Sequence, residues 1–66
     1  MKISTSKIEI LLAEKSLTKT AFAEICGISR QNLSTIILRG TCAPKTVVKL
    51  ANGLGVAAAE IIKEEG

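Results

Sequence analysis

Residues 22–36, FAEICGISRQNLSTI, constrain the fold most strongly, because a single glycine, Gly27, separates two amphipathic helical patterns. Helices joined by so short a turn must cross steeply, and the turn residue must accept a positive φ, which glycine does without steric penalty. The crossing also requires a small side chain on the first of the two helices, and Ala23 supplies it. The sequence therefore predicts a tight helical corner at Gly27.

The segment before the corner predicts two short helices. Apolar residues at helical spacing place the first helix from Ser4 or Ser6 to Lys15, and Ser6 and Glu9 have the spacing of a capping box. Thr18 can cap the second helix, which ends at the corner glycine. The inward face of the second helix is expected to consist of Phe22, Ile25 and Cys26.

Three further helices are predicted after the corner. Ser29 can cap the third, Pro44 suits the first turn of the fourth, Gly55 ends the fourth, and VAAAEIIKEEG forms a weakly capped fifth. Near the end of the fourth helix, Gly53 is interpreted as a residue that costs about 1 kcal/mol relative to alanine. The predicted inward residues are Leu33, Ile36 and Ile37 in the third helix, Val47, Leu50 and Ala51 or Leu54 in the fourth, and Val56, Ile61 and Ile62 in the fifth.

Length and hydropathy predict one small all-α domain that covers residues 1–66. No alternating strand pattern is present, and 66 residues provide only a modest core. No apolar stretch approaches the roughly 18 residues of a membrane span, so no membrane partner is expected. The first ten residues, MKISTSKIEI, carry no signal-peptide pattern, which favours the cytoplasm.

Residue types argue against catalysis and against a metal site. The chain has no His, Asp or Tyr and no phosphate-cradling glycine loop, so an enzyme is not expected. Cys26 and Cys42 are predicted to be free thiols that act as small hydrophobic residues, since no His can complete a zinc site or a Cys/His nucleophile. We expect no cofactor, no metal and no small-molecule ligand.

The net charge of +3 is unevenly distributed. An acidic tail follows a basic middle, in which Glu24 is the only acidic residue between positions 15 and 49. This arrangement favours a polyanionic partner. The basic residues of the middle are Lys15, Lys19, Arg30, Arg39, Lys45 and Lys49.

The third helix has a short polar face opposite its apolar one. Steps of about 100° place Gln31, Ser34, Thr35 and Leu38 away from the core, with Arg30 at the flank. In the major groove of DNA, Arg can pair with guanine, Gln can pair with adenine, and a Thr methyl can contact thymine. The face is therefore suited to a helix that enters the groove with its N-terminus first.

The corner and its flanks resemble a known family. Counted from Lys19 as the first position of a helix-turn-helix, the small position falls on Ala23, the glycine on Gly27, and the apolar positions on Phe22, Cys26, Ile28, Leu33 and Ile36. With LLAEKSLTKTAFAEICGIS before the turn and APKTVVKLANGLGVAAAEII after it, the chain resembles phage Cro and lambda-type repressor DNA-binding domains, the XRE family of bacterial regulators, over about residues 4–63. It departs from them after the third helix: IILRG replaces an acidic residue followed by Gly, so this helix or its exit is expected to be one residue longer.

The resemblance implies which residues contact DNA. Base contacts come from the first turn and the middle of the third helix, which gives Arg30 and Gln31 first, then Thr35, and then Asn32 and Ser34. Phosphates would be held at the start of the second helix and beyond the third. The phosphate-contacting candidates are Thr18, Lys19, Arg39, Thr41, Lys45 and Thr46.

The resemblance also implies a Cro-type repressor that binds an operator as a homodimer, since the chain consists almost entirely of the reading domain. The pairing surface is expected at residues 55–59, with Val56 as its main candidate. A second hypothesis is a protein-interaction module of the same fold, an antitoxin-like or anti-repressor partner, with Ile36, Ile37, Leu38 and the aliphatic tail as its contact face. Leu38 itself could contact a thymine methyl, pack on a partner or cover the loop.

Overall fold

A computed structural model describes residues 1–63 as four α-helices followed by a short 3₁₀ turn. The prediction of an all-α fold is confirmed, with no strand within residues 1–63 beyond two isolated β-bridges. The elements are α1 (Thr5–Glu14), α2 (Lys19–Cys26), α3 (Arg30–Arg39), α4 (Pro44–Leu54) and the 3₁₀ turn (Ala58–Glu60).

The prediction of a fifth α-helix was wrong, because residues 58–60 form only a 3₁₀ turn. Ala57 provides no side-chain cap, and the backbone just after the turn is bonded elsewhere. The Ile61 carbonyl accepts a hydrogen bond from the Ser4 amide at 2.7 Å, and the Lys63 amide donates to the Lys2 carbonyl at 3.1 Å. The final residues of the predicted helix, 64–66, lie outside the described residues.

Side-chain hydroxyls cap the first three helices. Ser4, and not Ser6, caps α1 by accepting from the Lys7 amide at 3.4 Å. Thr18 caps α2, its hydroxyl oxygen accepting from the Ala21 amide at 3.1 Å. Ser29 caps α3 in the same way, accepting from the Asn32 amide at 3.0 Å. α4 has no side-chain cap and begins instead with Pro44, whose missing N–H needs no partner at this position.

The corner between α2 and α3 has the predicted conformation. Gly27 adopts φ 74° and ψ 29°, the left-handed region in which glycine carries no penalty. Its amide bonds back to α2, and the Ile28 amide donates to the Ala23 carbonyl at 3.0 Å, so that α2 ends within one residue. α3 then continues to Arg39 and ends at Gly40.

All four helices and the N-terminal segment contribute to one apolar core. Ile25 of α2 is not part of this core, because it is 56% exposed at the edge of the contact with Gly53 of α4, and the prediction that it faces inward was wrong. Ile37, Val56 and Ile62 are only half-buried at the edge of the core. The buried residues are Ile3, Ile8, Leu12, Phe22, Ala23, Cys26, Leu33, Ile36, Val47, Leu50, Ala51, Leu54 and Ile61.

At Gly53, α4 lies directly against side chains of α2. A Cβ atom at this position would lie 2.7 Å from Cys26 Sγ and 3.0 Å from Phe22 Cε1, closer than buried side chains tolerate. Gly53 therefore has a packing role inside α4, which its cost to helix propensity does not reveal. The contact fixes α2, and with it the corner, against α4.

The N-terminal segment, residues 1–4, lies between two distant parts of the chain. Bridges join Lys2 to Thr41 and Ile3 to Ile62. The Ile3 amide donates to the Gly40 carbonyl at 2.9 Å, and the Cys42 amide donates to the Met1 carbonyl at 3.0 Å. This segment therefore holds the loop that follows α3.

None of the helices within residues 1–63 has the length and apolar character needed to cross a bilayer.

Candidate nucleic-acid interface

The outer face of α3 is the candidate interface. Leu33 and Ile36 turn inward from α3 into the core, and Ala23 of α2 is buried beside them. Because Leu33 and Ile36 pack one side of α3 against the core, the opposite side of the helix faces solvent. All five predicted base-contacting side chains are exposed there: Arg30, Gln31, Asn32, Ser34 and Thr35.

Most of these side chains have no intramolecular partner in the described part of the chain. Arg30 makes no ion pair, and the side-chain amides of Gln31 and Asn32 make no hydrogen bond within residues 1–63. The Ser29 cap leaves the backbone of the first turn ordered while the side chains of that turn stay free. The first turn of α3 can therefore offer donors and acceptors to a ligand without breaking any existing contact.

Thr35 differs from its neighbours in a way that its sequence position does not indicate. Its hydroxyl donates a hydrogen bond to the Gln31 carbonyl one turn earlier, at 3.0 Å. This bond engages the hydroxyl hydrogen, so Thr35 offers an outside partner its methyl group and an acceptor oxygen, but no donor. Such a bond to the preceding turn is a common conformation of threonine in helices.

The predicted phosphate-contacting residues fall into two groups. Thr18 and Lys19 lie at the start of α2, and the other four lie at the end of α3, in the loop after it and in the first turn of α4. Five of the six are exposed, and Thr46 is half-buried. Arg39 and Lys45 have no ion pair within residues 1–63.

Lys19 makes a contact that sequence reasoning missed. Its ammonium nitrogen lies 3.3 Å from Glu9 Oε1 of α1, and both side chains are about half exposed. An exposed pair of this kind contributes little to stability. Lys19 is predicted to bind phosphate. The Glu9 carboxylate would therefore compete with a phosphate for its ammonium group.

Residues 55–59, the predicted pairing surface, follow α4 directly. Gly55, Ala57 and Ala59 are exposed, whereas Val56 and Ala58 pack partly against the core. Only part of the Val56 side chain is therefore accessible from outside.

The described residues contain no cluster suited to a metal and no pocket. No group of three or more His, Cys, Asp or Glu side chains comes together within residues 1–63, and this part of the surface has no pocket. Both cysteines are free thiols, and burial raises the pKa of Cys26 and of Cys42, which keeps them protonated at neutral pH. The polar side chains of α3 therefore lie on an open, exposed face of the helix and do not line a pocket.

A comparison with family models agrees with this geometry. The model described as the Cro/C1-type HTH DNA-binding domain matches residues 7–65, a span that includes the corner, both of its helices and α4. No curated protein and no solved structure matches the chain significantly. The resemblance to XRE-family regulators is confirmed by the family match. The chain therefore belongs to the family of Cro/C1-type helix-turn-helix DNA-binding domains.

Proposed function

We propose that this protein is a sequence-specific transcriptional regulator, a Cro-like repressor that reads the major groove of an operator with α3. The observation that carries the proposal is the division of α3 into two faces. Leu33 and Ile36 are buried, while the polar side chains of the opposite face are exposed and largely without partners within residues 1–63. Residues 1–66 would act as one non-catalytic reading domain in the cytoplasm.

Each polar residue of α3 has a role in this proposal. Arg30 would donate to guanine O6 and N7, and Gln31 would bond adenine N6 and N7. Thr35 would contact a thymine methyl through its own methyl group, since its hydroxyl hydrogen is bonded to the Gln31 carbonyl. Asn32 and Ser34 lie between Gln31 and Thr35 along α3 and would contact neighbouring bases or the backbone.

Phosphate contacts would position the helix without specifying sequence. The amides at the start of α2 favour an anion next to Thr18 and Lys19, because the first N–H groups of a helix lack internal partners. Arg39, Thr41, Lys45 and Thr46 would hold phosphates on the other side of α3.

A homodimer is part of the proposal. One copy offers one reading helix and a few phosphate contacts, which is too little for tight specific binding. Two copies paired through residues 55–59 would place two α3 helices on half-sites about 34–36 Å apart. With about six to eight phosphates neutralised, the affinity would fall steeply with salt, by a slope near −0.9 per phosphate.

Selection of bound sites from a random DNA pool with the purified protein tests the proposal. We expect a palindromic site, and a plot of log affinity against log salt that is steep and negative. A flat salt dependence and no enriched sequence would contradict DNA reading.

Variants of the selected complex test the assigned roles. Arg30→Ala is expected to cost about 1–3 kcal/mol of specific affinity and to relax the preference at one base position. Lys49→Ala is the matched control, because it removes one positive charge from an exposed position of α4 that has no assigned contact. We expect Lys49→Ala to leave the sequence preference unchanged. Equal losses in the two variants would show that Arg30 contributes only its charge.

The second hypothesis, a protein-interaction module, receives less support from the surface. Ile36 is buried and Ile37 half-buried, so the proposed apolar contact face is reduced on α3 to Leu38. In such a module, Arg30→Ala would leave partner binding unchanged, which separates the two hypotheses.

A further inference from the structure

We propose that Leu38 is a further specificity-determining residue of α3, which reads the C5-methyl group of thymine in the major groove. The inference rests on the proposed function, because it assigns a base contact to a residue outside the polar set described above.

The packing of the fold does not explain why position 38 carries a leucine. Its side chain is 87% exposed, whereas the other exposed aliphatic side chains within the helices, Ile10, Ile25 and Val48, are 58%, 56% and 51% exposed. Those three cover about half of their surface against neighbours. Leu38 contributes almost nothing to the core, so its apolar character is better suited to an outside contact.

The position of Leu38 continues the row of base-reading residues. Gln31 and Leu38 are separated by two turns, so their side chains leave the helix within about 20° of one another and about 10.5 Å apart along its axis. Ser34 and Thr35 lie between them on the same side of α3. When α3 lies along the groove with Gln31 at a base edge, Leu38 faces the same groove about 10.5 Å further on, which is about three base pairs.

Thr35 adds an independent observation in favour of a methyl contact. Because its hydroxyl donates to the Gln31 carbonyl at 3.0 Å, Thr35 offers a methyl group rather than a donor. Thr35 and Leu38 are one turn apart, so two side chains with exposed methyl groups lie next to each other on the distal half of the face, beside the hydroxyl of Ser34. Thymine is the base that displays a methyl group in the major groove.

The charges around Leu38 favour DNA over an apolar protein surface. α3 contains no acidic residue and has arginine at both ends, Arg30 and Arg39. Arg39 follows Leu38 directly, is exposed, and has no ion pair in the described part of the chain. An apolar side chain next to an unpaired arginine suits a groove whose floor carries methyl groups and whose edges carry phosphates.

A double-mutant cycle between protein and DNA tests the inference. In the site selected by the unchanged protein, each thymine is replaced in turn by deoxyuridine, which removes only the methyl group, and binding is measured by fluorescence anisotropy. At one thymine in each half-site, about three base pairs from the position read by Gln31, we expect about four-fold weaker binding, the value of one buried carbon. Leu38→Ala is expected to weaken binding to the thymine site and to respond no further to deoxyuridine at that position.

Val48→Ala is the matched control, since it shortens another exposed aliphatic side chain outside α3. It should bind as the unchanged protein does and keep the full response to deoxyuridine. Leu38→Ala is expected to fold normally because the side chain is almost fully exposed, and circular dichroism checks this.

Three results would overturn the inference. The first is that Leu38→Ala keeps the full response to deoxyuridine. The second is that Leu38→Ala lowers self-association in sedimentation while this response is intact, which would assign Leu38 to a protein contact. The third is the absence of any thymine at the expected spacing. In each case DNA binding by the unchanged protein leaves the proposed function standing, whereas failure of that protein to select any DNA removes both.

Discussion

The helix-turn-helix and the N-terminal segment are both needed to position α3, but the contacts that hold them differ in range. Within residues 18–40, the caps at Thr18 and Ser29 bond amides three positions further along the chain. The Ile3 amide instead bonds the Gly40 carbonyl, and the Ser4 amide bonds the Ile61 carbonyl. The start and corner of α3 are therefore specified locally, whereas its exit is held by residues far away in the sequence.

The largest effect is expected from removing one core side chain in each region. Leu33→Ala in the helix-turn-helix and Ile3→Ala in the N-terminal segment both remove buried side-chain atoms, so each should lower the free energy of unfolding by about 2–5 kcal/mol. Urea unfolding followed by circular dichroism measures both, with Ile10→Ala as an exposed control. A loss under about 0.5 kcal/mol for Ile3→Ala would mean that the N-terminal segment is not part of the cooperative fold.

The next effect concerns the contact behind the corner. Gly53→Ala should lower stability by about 1–3 kcal/mol, because its Cβ would overlap Cys26 Sγ, although alanine is the better helix former by about 1 kcal/mol. Adding Cys26→Ala should recover part of this loss by removing the sulfur, as judged from thermal melts of both variants. A stabilised Gly53→Ala protein would show that α4 is free to move away from α2.

A smaller effect tests the local contacts of the helix-turn-helix. Ser29→Ala should cost about 1 kcal/mol, since the Asn32 amide at the start of α3 loses its acceptor. Ser6→Ala is the control, because Ser6 is exposed and Ser4 is the residue that caps α1. Chemical unfolding should find Ser6→Ala within about 0.5 kcal/mol of the unchanged protein. If both variants lost equal stability, the cap at Ser29 would not be what fixes the start of α3.

The smallest effect is expected where α1 meets the helix-turn-helix through surface charges. Glu9→Gln should change stability by less than about 0.5 kcal/mol, because its pair with Lys19 is exposed. It should raise DNA affinity about two-fold at low salt, since Lys19 would no longer be shared with a carboxylate, and the gain should shrink as salt screens the charges. Glu14→Gln removes the same charge from the end of α1, where no ion pair exists within residues 1–63. The same rise in both variants would point to net charge alone.

The helix-turn-helix was predictable because its signals lie next to the structure they specify. Thr18, Ser29 and Gly27 each act on atoms within a few residues, so the sequence alone placed the caps and the corner correctly. The inward faces of α3 and α4 followed from helical periodicity for the same reason. The prediction that Ile25 faces the core was wrong because, in a helix as short as α2, periodicity alone does not show which residues at the edge of the apolar face a neighbouring helix covers.

The chain ends were not predictable from such signals. The Ile61 carbonyl bonds an amide near the N-terminus, and nothing near Ile61 in the sequence indicates that partner. The apolar spacing of residues 56–62 therefore predicted a helix. In the structure, the backbone at residues 61 and 63 instead bonds to residues 2 and 4.

At the candidate site, sequence reasoning placed exposed polar residues on α3, and their contacts with bases and phosphates remain predictions. Two details depended on side-chain conformations that a sequence does not encode. These are the bond from the Thr35 hydroxyl to the Gln31 carbonyl and the pairing of Lys19 with Glu9.

Gly27 and Gly53 lead to opposite patterns of tolerance in a mutational scan. Around Gly27 the space is empty, so only backbone handedness restricts the replacement, and asparagine, which enters the left-handed region most readily after glycine, should be accepted. At Gly53 the backbone is ordinary helix and the space is full, so the size of the replacement decides the outcome and asparagine should be rejected. A library randomised at both positions would therefore separate chirality from volume as reasons to retain glycine.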